Sequence, residues 1–276
     1  MSVLELPEDV GFAMLTEKIT RDTTFRCASY KDKCLRRRIA VRMRATGVTS
    51  YDAYARVLDS DASEYPRLLD ALTINVTKFF RNWTTFEAIA RDVVPALWAK
   101  PGPIRIWSAG SSSGEEVYSL AALMHAHAES LGESAWLADR VEILGTDIDR
   151  GCLAAAERAM YAAPAFADTP EEWANTYFPR VGEWRTVRRE LRDLVTFERR
   201  DLLNEPAPAG QFDLVVCRNV IIYFGRDAQD ELLAKFHGAM VSRGFLVLGR
   251  VETLLGTPRM LFTPIDLRER VFRRTA

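Results

Sequence analysis

The segment that most constrains the fold lies at residues 104–118, Ile-Arg-Ile-Trp-Ser-Ala-Gly-Ser-Ser-Ser-Gly-Glu-Glu-Val-Tyr. Its apolar start predicts a buried strand, which ends at a turn of glycines and serines and continues directly into a helix. Doubly wound α/β folds bind a cofactor at such a junction. Gly110 and Gly114 lack a Cβ, so the backbone can approach a ligand closely, and the first helical N–H groups have no intrahelical acceptor. The segment therefore predicts a cofactor site in a doubly wound sheet.

The first turn of this helix carries two acidic residues, Glu115 and Glu116. Carboxylates there would repel a pyrophosphate, the group that helix N-termini commonly bind. A ligand with an amino group, hydroxyls and a cationic centre, such as S-adenosylmethionine, is favoured instead. A nicotinamide dinucleotide site would also require G-x-G-x-x-G, whereas this turn has only serines between Gly110 and Gly114. Methyl transfer is therefore predicted ahead of hydride transfer.

Strand and helix patterns alternate after residue 104, which predicts a mostly parallel sheet covered by helices on both faces. The alternation fails between residues 162 and 194, where prolines interrupt it and the charged residues show no clear period. We expect an insertion with small strands there. The predicted strands are 104–109, 141–146, 194–198, 212–217 and 244–249, and the predicted helices between them include 115–131 and 228–240.

Residues up to about Asn75 show helical patterns only. In the most unusual of these helices, at residues 34–44, Leu35, Ile39 and Met43 recur every fourth residue and form one apolar stripe. Arginines flank this stripe and face away from it. They form either a solvated helix face or a docking surface for an acidic partner helix. The docking hypothesis names Arg37, Arg38, Arg42 and Arg44.

Composition excludes several other classes. A net charge of −1 gives no electrostatic case for a nucleic-acid partner. The four cysteines form no C-x-x-C pair and only three histidines accompany them, so neither a metal site nor a disulfide framework is predicted and a cytoplasmic protein is expected. No run approaches the roughly 18 apolar residues of a membrane span, and the N-terminus lacks the pattern of a signal peptide.

Polar residues follow two further predicted strands. Asp147 and Asp149 come after the second strand, and Arg218 and Asn219 after the fourth. Because ligands lie beyond the carboxyl ends of parallel strands, Asp147 is expected to bind ribose hydroxyls, and Arg218 and Asn219 to border the pocket. A helix N-cap is the alternative for the acids and for Asn219. Tyr223 is a candidate catalytic residue, with a place in the core as its alternative.

Four motifs, in this order, resemble the chemotaxis receptor methyltransferases, the CheR-type protein-glutamate O-methyltransferases. They are Leu-Thr-Ile-Asn-Val-Thr-Lys-Phe-Phe-Arg at 72–81, Ile-Trp-Ser-Ala-Gly-Ser-Ser-Ser-Gly-Glu-Glu at 106–116, Asp-Ile-Asp at 147–149 and Cys-Arg-Asn-Val-Ile-Ile-Tyr-Phe at 217–224. The first motif, taken alone, is a polar interdomain linker with an aromatic anchor. Together the motifs extend over almost the whole chain, so the resemblance is highly specific.

The resemblance implies a class I methyltransferase fold, with an N-terminal helical domain at 1–75, a methyltransferase domain at 76–276 and an inserted β-subdomain at 162–194. It implies transfer of a methyl group from S-adenosylmethionine to glutamate side chains on the cytoplasmic helices of methyl-accepting chemoreceptors, leaving S-adenosylhomocysteine. The positions that match the family's cofactor contacts are Asn75, Thr77, Arg81, Glu116, Asp147, Asp201, Leu202, Arg218 and Asn219.

This chain departs from the family pattern at two places. Relatives have Gly-His-Ser-Glu after the late strand, and this chain has Gly-Arg-Val-Glu at 249–252. The turn near Gly182 is short and lacks the glycine-rich loop with which relatives hold a receptor's C-terminal pentapeptide. We therefore expect that the chain does not use this tether.

A glutamate acceptor is ionised at neutral pH and needs no general base, so positioning is expected to carry the rate. Arg81 is the candidate for orienting a carboxylate, either the acceptor's or the cofactor's own, because a guanidinium can pair in a bidentate manner. Two other functions remain open from the sequence. One is a non-catalytic S-adenosylmethionine-binding module, and the other is a methyltransferase acting on a different substrate.

Overall fold

The computed structural model describes residues 7–73 and 76–275. These residues divide into two compact units. One contains the N-terminal helices together with Tyr223–Gln229, and the other contains the remainder of the chain. Among the described residues, no helix combines the length and the apolarity that a membrane crossing requires.

In the described part of the first unit, four α-helices each place an apolar face in a common core. Leu35, Ile39 and Met43 are buried there, which confirms the predicted stripe. The third helix begins where its sequence predicts, because the Ser50 hydroxyl accepts a hydrogen bond from the backbone N–H of Ala53 at 3.2 Å. The helices are α1 (Glu8–Asp22), α2 (Asp32–Ala45), α3 (Tyr51–Ser60) and α4 (Glu64–Leu72).

A segment distant in sequence completes this unit. Lys31 donates its backbone N–H to the carbonyl of Tyr223 at 3.0 Å, and Gly225 donates to Ser29 at 2.8 Å. The rings of Tyr30 and Phe224 meet edge to face, 5.1 Å apart. Tyr223 thus lies in the helical unit, an assignment that no local pattern in the sequence indicates.

A buried carboxylate links α2, α3 and α4. Glu64 is 1% exposed and accepts hydrogen bonds from the Arg42 guanidinium at 2.9 and 2.7 Å and from the Tyr54 hydroxyl at 2.7 Å. The paired Arg42 guanidinium lowers the pKa of Glu64, and burial acts against it. Arg42, one of the four arginines in the docking hypothesis, is therefore bonded within its own unit.

The second unit is built on a seven-stranded sheet of order β6-β2-β1-β7-β8-β10-β9. Pairing is parallel from β6 through β8, and β10 runs antiparallel to both β8 and β9. The strands are β1 (Ile104–Ala109), β2 (Val141–Asp147), β3 (Met160–Ala162), β4 (Arg180–Val181), β5 (Trp184–Thr186), β6 (Val195–Arg199), β7 (Phe212–Cys217), β8 (Met240–Leu248), β9 (Phe262–Asp266) and β10 (Val271–Arg274).

The sequence pattern locates β1 and β7 residue for residue. Strand β8 begins at Met240, earlier than predicted, because Met240 pairs with Phe212 across an irregularity in the register. The helices of this part of the chain are α5 (Trp83–Ala88), α6 (Val94–Trp98), α7 (Glu115–Ser130), α8 (Leu137–Arg140), α9 (Arg150–Arg158), α10 (Glu171–Tyr177), α11 (Arg189–Arg192), α12 (Arg226–Ala239), which starts within the segment of the first unit, and α13 (Pro258–Leu261).

Small strands occur at the predicted insertion, as expected, although β3 begins at Met160, before the predicted start at residue 162. Strands β3, β5 and β4 form a separate antiparallel sheet in that order. Phe79 and Phe166 stack with ring centroids 4.4 Å apart, and Phe178 packs on both rings. This aromatic cluster thus joins the insertion to Phe79 of the first motif, at residues 72–81.

We expect Glu64→Gln to destabilise the chain by about 3 kcal/mol, because it leaves Arg42 and Tyr54 without their buried anionic partner. The folded-state pKa of Glu64 lies below its unfolded value, so the stabilisation is present at neutral pH and is lost as the pH falls through the folded-state pKa. Urea denaturation across a pH series should show a flatter dependence for the variant. Glu17→Gln, at an exposed position on α1, is the control and should change stability by less than about 0.5 kcal/mol. Equal stability of the Glu64 variant and the wild type would contradict this account.

Candidate functional site

The order of the strands creates a crevice at the carboxyl edge of the sheet. Strand β1 lies between β2 and β7, and the chain proceeds outward through β2 and β6 before returning to β7 on the other side. Loops that leave β1 and β7 therefore diverge to opposite sides, which is the topological switch point where open α/β sheets bind ligands. The residues that follow these strands form the candidate site.

The turn between β1 and α7 is bonded to the end of β2. Gly110 and Ser111 both donate their backbone N–H groups to the Thr146 carbonyl, at 2.8 and 2.9 Å. Ser112, at a φ of +48°, donates its backbone N–H to Asp147 Oδ2 at 2.7 Å. The conformation of the turn thus depends on two residues of the neighbouring strand.

The glycines of this turn are required by protein packing. Gly110 has a φ of +83°, and a Cβ on it would lie 2.5 Å from a methyl group of Val220. Gly114 has a φ of +90°, and its Cβ would lie 2.8 Å from that of Ala156. These glycines were predicted to allow close approach of a ligand, whereas the structure shows close approach of the loop after β7 and of helix α9.

Asp147 ends β2 and is buried, with 8% of its surface exposed. Its Oδ1 accepts the backbone N–H of Asp149 at 3.0 Å. Burial raises the pKa of Asp147, and the backbone N–H donors oppose the rise. Asp149 has the N-cap role that the sequence offered as an alternative, since its carboxylate accepts the backbone N–H of Cys152 at 3.0 Å and begins α9.

Glu116 and Arg218 form an ion pair between the start of α7 and the end of β7. The two groups are 3.2 Å apart, and Glu116 also accepts from the Ser108 hydroxyl at 2.9 Å. The buried Arg218 guanidinium donates in addition to the backbone carbonyl of Arg81 at 2.6 Å. Arg218 therefore holds the Arg81 turn against the sheet.

Glu115 is buried, whereas Glu116 is partly exposed. Its carboxylate accepts the Ser113 hydroxyl at 2.8 Å. Burial raises the pKa of Glu115, and hydrogen bonds from Ser113 and Thr77 oppose the rise. Thr77, a predicted cofactor contact, is thus placed next to the acidic turn of α7.

Arg81 retains donors for a further partner. Within the described residues its guanidinium makes one hydrogen bond, from Nη1 to the Val76 carbonyl at 2.8 Å. The side chain is half-buried. Asn75, which the sequence places in the same motif, lies outside the described residues.

Asp201 organises the turn that follows β6. Its carboxylate accepts the backbone N–H groups of Leu203 at 2.9 Å and Asn204 at 3.1 Å. Lys235 of α12 donates to the carbonyls of Leu202 and Glu205, the latter at 2.7 Å. Asp201 and Leu202 are both buried at this edge.

The last two predicted residues fall in different units. Asn219 follows β7 with a φ of +61°, an uncommon conformation for a residue other than glycine. Tyr223 belongs to the helical unit, where its carbonyl is bonded to Lys31. The structure thus connects Arg81, Glu116 and Arg218 through direct contacts.

Glu252, also at this edge, was not among the residues predicted from the sequence. Glu252 is buried and accepts backbone N–H groups from the loop after β7. The signal was an acidic residue close behind the apolar run of β8.

Two family models match consecutive parts of the chain. Residues 75–271 match the family model described as CheR methyltransferase, SAM binding domain, and residues 11–73 match CheR methyltransferase, all-alpha domain. The chain belongs to the CheR methyltransferase family. The predicted family, the class I methyltransferase-like fold with its helical N-terminal domain and the S-adenosylmethionine cofactor are thereby confirmed.

Several proteins similar to this CheR chain are named chemotaxis protein methyltransferases. The chain is 31% identical to the chemotaxis protein methyltransferase of Listeria monocytogenes, covering 88% of this chain and 90% of that protein. It is 32% identical to chemotaxis protein methyltransferase 2 of Pseudomonas aeruginosa, covering 88% and 86%. A 104.1 kDa protein of Rhodobacter capsulatus is 33% identical over 91% of this chain, which spans 26% of that longer protein.

The site of this CheR chain fits its cofactor in the chemistry of its donors. Carboxylates at Glu116, Asp147 and Asp201 can accept hydrogen bonds from the amino group and hydroxyls of S-adenosylmethionine. The Ser111 hydroxyl is buried in the turn without a hydrogen-bond partner among the described residues, as expected where a ligand completes the set. The residues therefore suit a cationic, hydroxyl-bearing cofactor.

We expect Asp147→Asn to weaken binding of S-adenosylhomocysteine about tenfold or more, because the variant replaces a charged acceptor with an amide. The amide of the Asp147→Asn variant would also bring its own N–H groups close to the backbone N–H groups of Ser112 and Asp149, which donate to Asp147 in the wild type. Isothermal titration calorimetry measures the change.

Asp213→Asn is the matched control for this experiment. Asp213 is also a buried carboxylate that accepts a backbone N–H, from Arg105 at 2.9 Å, but it lies at the amino end of β7, at the opposite edge of the sheet. The Asp213→Asn variant should bind S-adenosylhomocysteine with the affinity of the wild type. Equal losses in the two variants would refute a specific role of Asp147.

Proposed function

We propose that the chain transfers the methyl group of S-adenosylmethionine to glutamate side chains on the cytoplasmic helices of chemoreceptors, forming glutamyl methyl esters. The names of the Listeria and Pseudomonas relatives support a role in chemotaxis. The observation that carries the proposal is Arg81, whose backbone is held by Arg218 of the Glu116–Arg218 pair and whose guanidinium makes one hydrogen bond within the described residues. On this proposal the chain acts in the cytoplasm.

The proposed acceptor is already anionic and does not require a general base. A glutamate carboxylate is ionised at neutral pH and can attack directly. The three histidines pack on aromatic rings elsewhere: His125 on Tyr177, His127 on Trp98 and His237 on Phe262.

The mechanism then rests on positioning. Arg81 orients a carboxylate through paired hydrogen bonds, with its own backbone held by Arg218. The cofactor supplies an electrophilic methyl group on sulfur. An oxygen of the acceptor glutamate would accept that methyl group as the C–S bond breaks, and S-adenosylhomocysteine would be the leaving group. Holding the two substrates in this geometry can lower the barrier by several kcal/mol.

The assignments of individual residues form part of the proposal. Arg81 and Tyr223 are proposed to act in catalysis. The proposed domains are residues 1–75, 76–276 and the insertion 162–194. The proposed cofactor contacts are Asn75, Thr77, Arg81, Glu116, Asp147, Asp201, Leu202, Arg218 and Asn219.

The proposed partner surface is the arginine face of α2. Arg37 and Arg44 are exposed and make no hydrogen bond or ion pair with any residue that the structure describes, while Arg38 is half-buried. Because Arg42 is bonded to Glu64, its proposed contribution to docking is smaller. Free guanidinium groups on one helix suit an acidic face of a receptor bundle.

The test of this function is transfer of tritium from methyl-labelled S-adenosylmethionine to a chemoreceptor cytoplasmic fragment. We expect label that is released as methanol in base, because carboxylate methyl esters are base-labile, and loss of labelling when receptor glutamates are changed to alanine. Label that resists base would show another substrate group. Cofactor binding without transfer to any receptor would favour a non-catalytic binding module.

The same assay includes a receptor that lacks its last five residues. Strands β4 and β5 are joined by a two-residue turn at 182–183, which supports an enzyme that does not hold a receptor tail. Initial rates on the truncated and complete receptors should agree within about twofold. A large rise in KM on truncation would show that the tail is bound.

Reversing Arg37 and Arg44 to Glu should slow methylation and leave cofactor affinity unchanged. Exposed charges contribute well under about 1 kcal/mol to stability, so the thermal midpoint should not change appreciably. Docking charges act on the association rate and are screened by salt, so the wild-type rate should fall with ionic strength and the variant should show a flatter dependence. Initial rates across a salt series measure both effects.

Arg21→Glu, at an exposed position on α1, is the control for a general change of charge. It should keep the wild-type salt dependence. If the Arg37 and Arg44 variant matches this control, the arginines are a solvated face, and if its midpoint collapses, they are structural.

A further inference from the structure

Glu252 gathers backbone donors from two loops at the carboxyl edge. It follows β8 and is 3% exposed. Its carboxylate accepts the backbone N–H groups of Asn219 and Val220, both at 3.0 Å, of Ile222 at 3.3 Å, and of Gly249. Three of the four donors belong to the loop after β7, so this carboxylate joins that loop to the end of β8.

The approach of the carboxylate depends on a glycine. A Cβ on Gly249 would lie 2.7 Å from Glu252 Oε2 and 2.8 Å from the backbone nitrogen of Asn219. Contacts this short would displace the backbone or the carboxylate. Gly249 therefore leaves the space in which Glu252 reaches the loop.

The loop held by Glu252 is strained and borders the β1–α7 turn. Asn219 has a φ of +61°, which costs energy unless its surroundings fix it. The next residue, Val220, lies where a Cβ on Gly110 would touch its methyl group, at 2.5 Å. Displacement of this loop would therefore move Asn219 and release the packing of Val220 on the β1–α7 turn.

We propose that Glu252 is a positioning residue, whose carboxylate fixes the loop after β7 so that Asn219 and Val220 complete the cofactor site. The inference rests on the proposed function in one respect, the assignment of Asn219 to cofactor binding. Glu252 acts through these backbone groups and has no part in methyl transfer itself.

The test compares Glu252→Gln with the wild type in two measurements. Hydrogen–deuterium exchange should become at least tenfold faster in peptides covering residues 219–222, because the amide group of Gln presents donors where the loop needs acceptors. Calorimetric affinity for S-adenosylhomocysteine should fall at least tenfold. Exchange in β7 itself should not change.

Glu269→Gln is the matched control. Glu269 is also buried in the second unit, at 4% exposure; it accepts the Thr85 hydroxyl at 2.7 Å and pairs with Arg250 at 3.8 Å, but makes no hydrogen bond to the described residues of the loop after β7. It should lower the thermal midpoint without altering exchange at 219–222 or cofactor affinity. A change of the same size in both variants would mean that any buried carboxylate has this effect and would overturn the proposal.

Glu252→Asp provides a second variant, since it keeps the charge but is shorter by one methylene. It should fall between the wild type and Glu252→Gln in both exchange and affinity. Wild-type exchange and affinity in Glu252→Gln would overturn the proposal. Failure of both Glu252 variants to fold, with Glu269→Gln folded, would overturn it in favour of a purely structural role. Neither measurement needs a methyl acceptor, so a failure of the proposed receptor substrate is seen separately, in the labelling assay.

Discussion

The position of β1 between β2 and β7 is the constraint on which the rest of the site depends. Its parallel pairing with both neighbours brings three strand ends to one edge. The β1–α7 turn is then bonded to Thr146 and Asp147 at the end of β2, and Val220 after β7 packs on Gly110. A slip of one residue in either pairing would turn these groups to the wrong face.

Carboxylates at this edge have distinct tasks because their partners differ. Glu116 pairs with a guanidinium, whereas Asp147 and Glu252 accept backbone N–H groups of the loops they hold. Burial raises the pKa of both Asp147 and Glu252, and the N–H donors partly offset that rise. Burial of each of these two acids has a desolvation cost, and hydrogen bonds from the loop offset that cost. The same hydrogen bonds fix the conformation of the loop.

Much of the fold followed from local pattern. The apolar runs of β1 and β7 and the stripe of α2 were predicted because burial selects residues at the period of each element. The family and the cofactor were predicted from motifs and confirmed by the family models. The start of β8 was missed because it depends on pairing with Phe212 across an irregular register, and such pairing has no local signal.

The sequence by itself determined the doubly wound class, and it predicted the candidate site at the strand ends and the residue types of its donors, because these depend on residue types and periods along the chain. Tertiary structure alone decided which donors are already bonded. It paired Arg42 with Glu64, placed Tyr223 in the helical unit and brought Glu252 to the loop after β7. These outcomes depend on contacts between residues up to about two hundred positions apart, and such contacts are specified by packing in three dimensions, which no local pattern records.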